Sequence, residues 1–109
     1  MERRTEEDRA VDTVLELVVE RHDGTNIIRA AGEIDMASAP RLRECLSLLS
    51  GSIVVDLHAV SFLDSTGIGV LIDADNRLRE DGGDLRLYQP RGIVRTAIEV
   101  VGLAHWIDE

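Results

Sequence analysis

The sequence predicts a small α/β domain whose mixed sheet begins with an antiparallel hairpin and continues with parallel strands. Apolar segments of strand length alternate with segments in which apolar residues recur at helical spacing. Only a short turn sequence separates the first two strand segments, whereas helices separate the later ones. Strands joined through helices run parallel with right-handed crossovers. The predicted order is strand, strand, helix, strand, helix, strand, helix.

The length and composition fit one domain with one core. The chain has 109 residues, of which 44% are apolar. Residues 1–12 are charged and lack periodicity, so we predict a flexible tail there and a single domain at 13–109. Cys45 is the only cysteine, which excludes an intrachain disulfide and agrees with a reducing compartment.

The acidic net charge limits the kinds of partner that the chain can bind. The chain has 21 acidic and 12 basic residues and a formal net charge of −9. This balance argues against binding to nucleic acid or to anionic lipid, and it favours a protein partner with a basic surface. The sequence has neither a signal peptide nor an apolar run of about 18 residues, so we predict a cytoplasmic protein.

The first two strands are predicted to form a hairpin. Residues 14–20 and 27–32 are rich in β-branched and aliphatic side chains, which favour strands. The turn cluster at 22–26 contains Asp23-Gly24, a dipeptide typical of tight hairpin turns.

The first helix is predicted to begin after Ser38. Ser38 can act as its N-cap, and Pro40 is tolerated in the first turn because its missing N–H has no helical partner there. The helix is predicted to end near Ser50-Gly51. One apolar face recurs at helical spacing, formed by Ala39, Leu42, Leu46 and Leu49.

A buried strand is predicted at residues 53–57, because the run is almost continuously apolar. The stretch 61–71 follows it and leads into the second helix. Asp64, Ser65 and Thr66 are all candidate caps for that helix.

The second helix is predicted to have two different faces. Its apolar side is formed by Ile68, Leu71, Ile72 and Leu78. Its other side is formed by Gly69, Asp73, Asn76, Arg77 and Glu80. This second set continues from Ser65 as a polar stripe, which is either a solvated face or an interaction face.

The rest of the chain is predicted to add one strand and one helix. Gly82-Gly83 ends the second helix, and residues 85–88 form the strand. Pro90 begins the third helix. The inner face of that helix is formed by Val94, Ala97, Ile98 and Val101. Residues 104–107 are predicted to pack on the edge of the core.

Candidate chemistry centres on Ser65, which lies where a buried strand leads into a helix. Ser65 is outside a Gly-x-Ser-x-Gly elbow, and the chain has only three histidines, so hydrolase chemistry is disfavoured. Gly67-x-Gly69 is too short for a phosphate-binding loop. We expect no catalytic residue, no metal site and no cofactor. The spacing leaves two roles open for Ser65, as a helix cap or as a phosphate acceptor.

Two segments carry a family resemblance. Gly32-Glu33-Ile34-Asp35 is similar to the Gly-Glu-Leu-Asp strand end of STAS domains. Residues 60–71 resemble, almost position for position, the Asp-Ser-(Ser/Thr)-Gly phosphorylation segment of the bacterial anti-sigma factor antagonists. Val101-Gly102-Leu103 resembles the family's usual end of the last helix. The chain departs at Ile34 and Ile68, where the family has Leu, and both changes are conservative.

The resemblance implies a small sheet with helices packed mainly on one face, and it implies binding without catalysis. In the family's partner-switching scheme, the unphosphorylated antagonist binds an anti-sigma factor that is also a serine kinase, and a sigma factor is released. The kinase then phosphorylates the antagonist, here by match at Ser65, and switches it off. Thr66 is the weaker acceptor candidate. A serine phosphatase restores the antagonist.

The same match, together with the polar stripe, implies a partner-binding surface. Its expected residues are Glu33, Asp35, Asp64, Ser65, Thr66, Gly67, Gly69, Asp73, Asn76 and Arg77. An alternative is a non-switching STAS scaffold, or an accessory subunit of a stress-sensing or membrane-transport complex. The retained Asp64-Ser65 pair argues against that alternative.

Overall fold

A computed structural model describes residues 15–108 of the chain. The tail predicted at residues 1–12 lies outside the described residues. Five strands form one sheet in the order β1-β2-β3-β4-β5. The strands are β1 (Leu15–His22), β2 (Thr25–Ile34), β3 (Ser52–Leu63), β4 (Asp84–Tyr88) and β5 (Ile107–Asp108). The α-helices are α1 (Ala39–Ser47), α2 (Ser65–Glu80) and α3 (Gly92–Val100), and a 3₁₀ turn covers Ala104–Trp106.

The predicted hairpin is confirmed. β1 and β2 pair antiparallel, with His22 opposite Thr25. The two loop residues have positive φ, 51° at Asp23 and 82° at Gly24. A type I′ turn needs positive φ at both positions, and its twist matches that of the flanking strands.

The predicted parallel part of the sheet and the position of the helices are also confirmed. β2, β3, β4 and β5 pair parallel, each with the next strand in sequence. Because every right-handed crossover moves in the same direction across the sheet, the three helices pack on one face. The strand residues facing them are buried, among them Ile28, Ala30, Ile53, Val55, Leu85 and Leu87. Alternate residues on the opposite face are not buried, among them Arg29, Val54, Asp56, Arg86 and Tyr88.

β3 is longer than the predicted strand at 53–57. It pairs with β2 as far as Ile34 and Leu63, across two register irregularities that follow Arg29 and Gly32 in β2. Such bulges let a strand continue where its inward and outward alternation breaks. The stretch 61–71 therefore begins inside a strand.

The predicted helix boundaries and faces need four corrections. The first helix ends at Ser47, and the third begins at Gly92 with Arg91 as its N-cap residue. Val101 is 49% exposed because it lies at the C-cap position of α3, past the inward-facing turn. Ile72 is 37% exposed, since it lies seven residues after Ser65 and shares its face of α2.

The sequence prediction missed β5. Trp106 is buried, and the two residues that follow it pair parallel with β4, with Ile107 opposite Leu87. The predicted packing of the last segment on the edge of the core is thus confirmed, and this segment also extends the sheet by one strand.

Candidate functional site

The candidate site lies at the carboxyl ends of β2 and β3. Ile34 and Leu63 form the last pair of these strands. Immediately afterwards the backbone N–H of Asp64 donates a hydrogen bond to the Ile34 carbonyl oxygen, at 3.2 Å. The loop that begins at Asp35 and the start of α2 are therefore neighbours.

Asp64 is the cap of α2. Its backbone is extended, with φ −106°, and its Oδ1 accepts hydrogen bonds from the backbone N–H groups of Thr66 (3.0 Å) and Gly67 (3.1 Å). Its carbonyl accepts the first helical bond, from the N–H of Ile68 at 3.0 Å. This arrangement satisfies two of the donors that a helix start leaves unpaired. Of the three candidate caps, the structure selects Asp64.

Ser65 and Thr66 are exposed in the first turn of α2. No residue in the described range 15–108 makes a hydrogen bond with the Ser65 hydroxyl. Asp64 already accepts from the N–H groups of Thr66 and Gly67, so a phosphate on the exposed Ser65 would add a second negative group next to this carboxylate. The hydroxyl is thus available for chemistry and is not needed for capping.

Gly67 provides a close packing contact. The residue is buried, and a Cβ atom there would lie 2.6 Å from Ile34 Cγ2 and 2.7 Å from Leu63 Cδ1. Only glycine lets the start of α2 approach the two strand ends this closely. Gly69 differs, because a Cβ atom there would meet no atom within 4 Å.

Asp35 organises the loop after β2. Its Oδ1 accepts hydrogen bonds from the backbone N–H groups of Ala37 (3.0 Å) and Ser38 (2.9 Å). The hydrogen bond from the Ser38 N–H is the largest cause of a pKa of the Asp35 carboxyl below its ordinary value. Ser38 occupies the N-cap position of α1, but its hydroxyl donates to the Glu33 carbonyl (2.7 Å) and makes no capping bond. The Glu33 side chain is exposed.

The polar stripe of α2 runs along its junction with α1. Gly69 is half-buried, while Asp73 and Asn76 are exposed. Asp73 Oδ2 accepts from Arg43 Nη1 of α1 at 3.2 Å. Arg77 is half-buried, and its Nη2 donates to two carbonyl oxygens, one in the last turn of α1 and one just after the helix. These are the carbonyls of Leu46 (2.8 Å) and Leu49 (3.1 Å).

Sequence reasoning missed the structural role of Asp75. This carboxylate is 4% exposed. It accepts from the Leu85 N–H at 3.1 Å and from Arg79 Nε at 2.7 Å, so it joins α2 to β4. The bond to Asp75 raises the pKa of Arg79. The sequence spacing indicated that Asp75 is buried, because it follows Leu71 by four residues and so lies on the apolar face of α2.

Two further findings apply to residues 15–108. No group of three or more His, Cys, Asp or Glu side chains could hold a metal ion. No helix combines the length and the apolar character needed to cross a membrane.

The fold and this edge of the sheet define a class: a small α/β domain that presents an exposed serine at a capped strand-to-helix junction. The model of the STAS domain family matches residues 16–108. Because the match covers most of the chain, the chain belongs to the STAS domain family.

Comparisons with individual proteins agree. The chain is 33% identical over 93 residues to the anti-sigma-B factor antagonist of Bacillus subtilis strain 168, covering 83% of this chain and 85% of the relative. It is similar to the structure of the anti-sigma factor antagonist SpoIIAA in its unphosphorylated form, with a TM-score of 0.77, 25% identity and coverage of 85% and 86%. An anti-sigma factor antagonist from Mycobacterium paratuberculosis gives a TM-score of 0.75, 32% identity and coverage of 84% and 80%.

Proposed function

We propose that this chain is an anti-sigma factor antagonist switched by phosphorylation at Ser65. The observation that carries the proposal is the exposed Ser65 hydroxyl, which makes no hydrogen bond within residues 15–108 and lies beside the cap residue Asp64. Two proteins named as anti-sigma factor antagonists support this role: one is a relative that is 33% identical in sequence, and the other has a solved structure and is 32% identical in sequence.

In this proposal the chain is the substrate of a kinase and not itself an enzyme. When unphosphorylated, it binds an anti-sigma factor with serine kinase activity in the cytoplasm, and a sigma factor is released. The kinase transfers a phosphoryl group to Ser65, and a serine phosphatase removes it. The partner covers the exposed start of α2 and the neighbouring loop, including Glu33 and Asp35.

The phosphate acts through charge on a surface that keeps its fold. It adds about −1.5 to −2 charges at pH 7. The backbone N–H groups of Thr66 and Gly67 already donate to Asp64, so they are not free to pair with the phosphate. Desolvating the new charge beneath a partner therefore opposes binding.

The test combines site mapping with binding. Each serine-kinase anti-sigma factor encoded in the source genome is purified and incubated with the chain and ATP, and the modified residue is mapped by mass spectrometry. We expect one phosphate at Ser65. Ser65→Ala should retain binding to the kinase after ATP is added, and Ser65→Asp should weaken binding at least about tenfold.

Thr66→Ala is the matched control, because Thr66 is also exposed, carries a hydroxyl and lies next to Ser65. It should be phosphorylated like the wild type. Phosphate on another residue with Ser65 unmodified would refute the proposal, as would equal binding by the wild type, Ser65→Ala and Ser65→Asp.

A further inference from the structure

A groove between α1 and α2 lies beside the face of α2 that begins at Ser65. Its volume is about 220 Å³. Leu46, Val70 and Ala74 form its apolar floor, and these side chains belong to the core. Its polar rim is formed by Arg43, Ser47, Asp73 and Arg77.

The charge of this rim is opposite to that of the chain as a whole. The chain carries a formal net charge of −9, whereas the rim has two guanidinium groups and one carboxylate. Arg77 Nη2 donates to the carbonyl oxygens of Leu46 and Leu49. Its Nε and Nη1 make no hydrogen bond within the described part of the chain. The groove therefore presents donors suited to an acidic group.

The Asp73 carboxylate that pairs with Arg43 can be replaced by another carboxylate. The two groups are 3.2 Å apart, and their side chains are 56% and 62% exposed. Exposed pairs of this kind contribute little to stability because water competes for both groups. An incoming carboxylate can replace Asp73 on Arg43 and accept from Arg77 as well, while apolar atoms next to it cover the groove floor.

We propose that the groove receives an acidic side chain, glutamate or aspartate, of the anti-sigma partner. The proposal rests on the proposed function, since it concerns the same partner. In this proposal the α1–α2 junction orients the bound partner. One acid on an otherwise basic partner surface fixes which way that surface lies over Ser65.

Two substitutions separate docking from a structural role. Arg43→Gln and Asp73→Asn each abolish the same ion pair, so a purely structural effect changes partner affinity in the same direction for both. Docking of an acid predicts opposite effects. Arg43→Gln should weaken binding of the unphosphorylated chain about fivefold, and Asp73→Asn should tighten it about threefold by freeing Arg43.

Affinity is measured by isothermal titration with the purified kinase that modifies Ser65. Arg95→Gln is the control, because Arg95 forms an ion pair with Glu99 on α3 (3.0 Å), on a helix that does not line the groove. It should change affinity less than about twofold. The docking proposal alone is refuted if both groove variants change the partner affinity equally or if neither changes it. It is also refuted if Asp73→Asn weakens binding. Absence of wild-type binding to any such kinase refutes the proposed function, and the docking proposal with it.

Discussion

Asp64 and Ser65 are adjacent and both polar, yet the structure gives them different tasks. The Asp64 carboxylate accepts two backbone hydrogen bonds at the start of α2, whereas the Ser65 hydroxyl is exposed. The sequence predicted a cap at this point but could not choose among three residues. Aspartate, serine and threonine all cap helices, and the backbone conformation on entering the helix decides which one does.

Asp64→Ala should lower the free energy of unfolding by about 1 kcal/mol, because two N–H groups lose their acceptor. Urea denaturation followed by circular dichroism measures the change. Ser65→Ala is the adjacent control and should stay within about 0.5 kcal/mol of the wild type, because its hydroxyl makes no bond within residues 15–108. A loss as large for Ser65→Ala as for Asp64→Ala would show that Ser65 stabilises the helix start.

The sequence predicted which helices and strands exist better than it predicted the residues at which they begin and end. The sequence placed a strand at 53–57, where the apolar run ends, and left residues 58–63 of β3 outside it. The bulged part of β3 also breaks the alternation of inward and outward residues, so no strand pattern marks it. The polar stripe of α2 was predicted, but not the tertiary contacts of Asp73 and Arg77 with α1. Those contacts depend on how two helices pack, which the periodicity of one helix does not specify.

Two glycines of α2 test the contact between the helix and the strand ends. Gly67→Ala should lower the free energy of unfolding by about 1–3 kcal/mol, because the new methyl group overlaps Ile34 and Leu63. Gly69→Ala adds the same methyl group in the same helix without contacting any atom within 4 Å, and it should raise stability by about 0.5–1 kcal/mol. Thermal and urea denaturation measure both. Equal effects of the two substitutions would contradict the close contact at Gly67.

The overall topology was the most predictable feature. Strand order follows chain order, as it does for most consecutive strands, and the right-handed crossovers then place the helices on one face. β5 was missed because two residues are too few to show periodicity. Its place depends on Trp106, which is 7% exposed and anchors the segment.

The prediction of a single domain can be tested with Trp106, the only tryptophan of the chain. Its fluorescence reports on the carboxyl-terminal part, and circular dichroism at 222 nm reports on all helices. In urea the two signals should give the same midpoint, because one hydrophobic core that includes Trp106 unfolds cooperatively. A tryptophan transition at clearly lower urea would mean that the last segment detaches before the rest unfolds.

The fixed junction at Gly67 has a consequence for enzyme specificity. An enzyme that reads a linear recognition sequence needs its substrate extended, but extending the chain around Ser65 would break the Asp64 cap and the contacts of Gly67 with Ile34 and Leu63. A kinase acting on the native protein must therefore recognise a conformational epitope. Under the proposed function, a short peptide with the sequence of 60–71 would be a poor substrate, and the phosphate would mark only chains that have already folded.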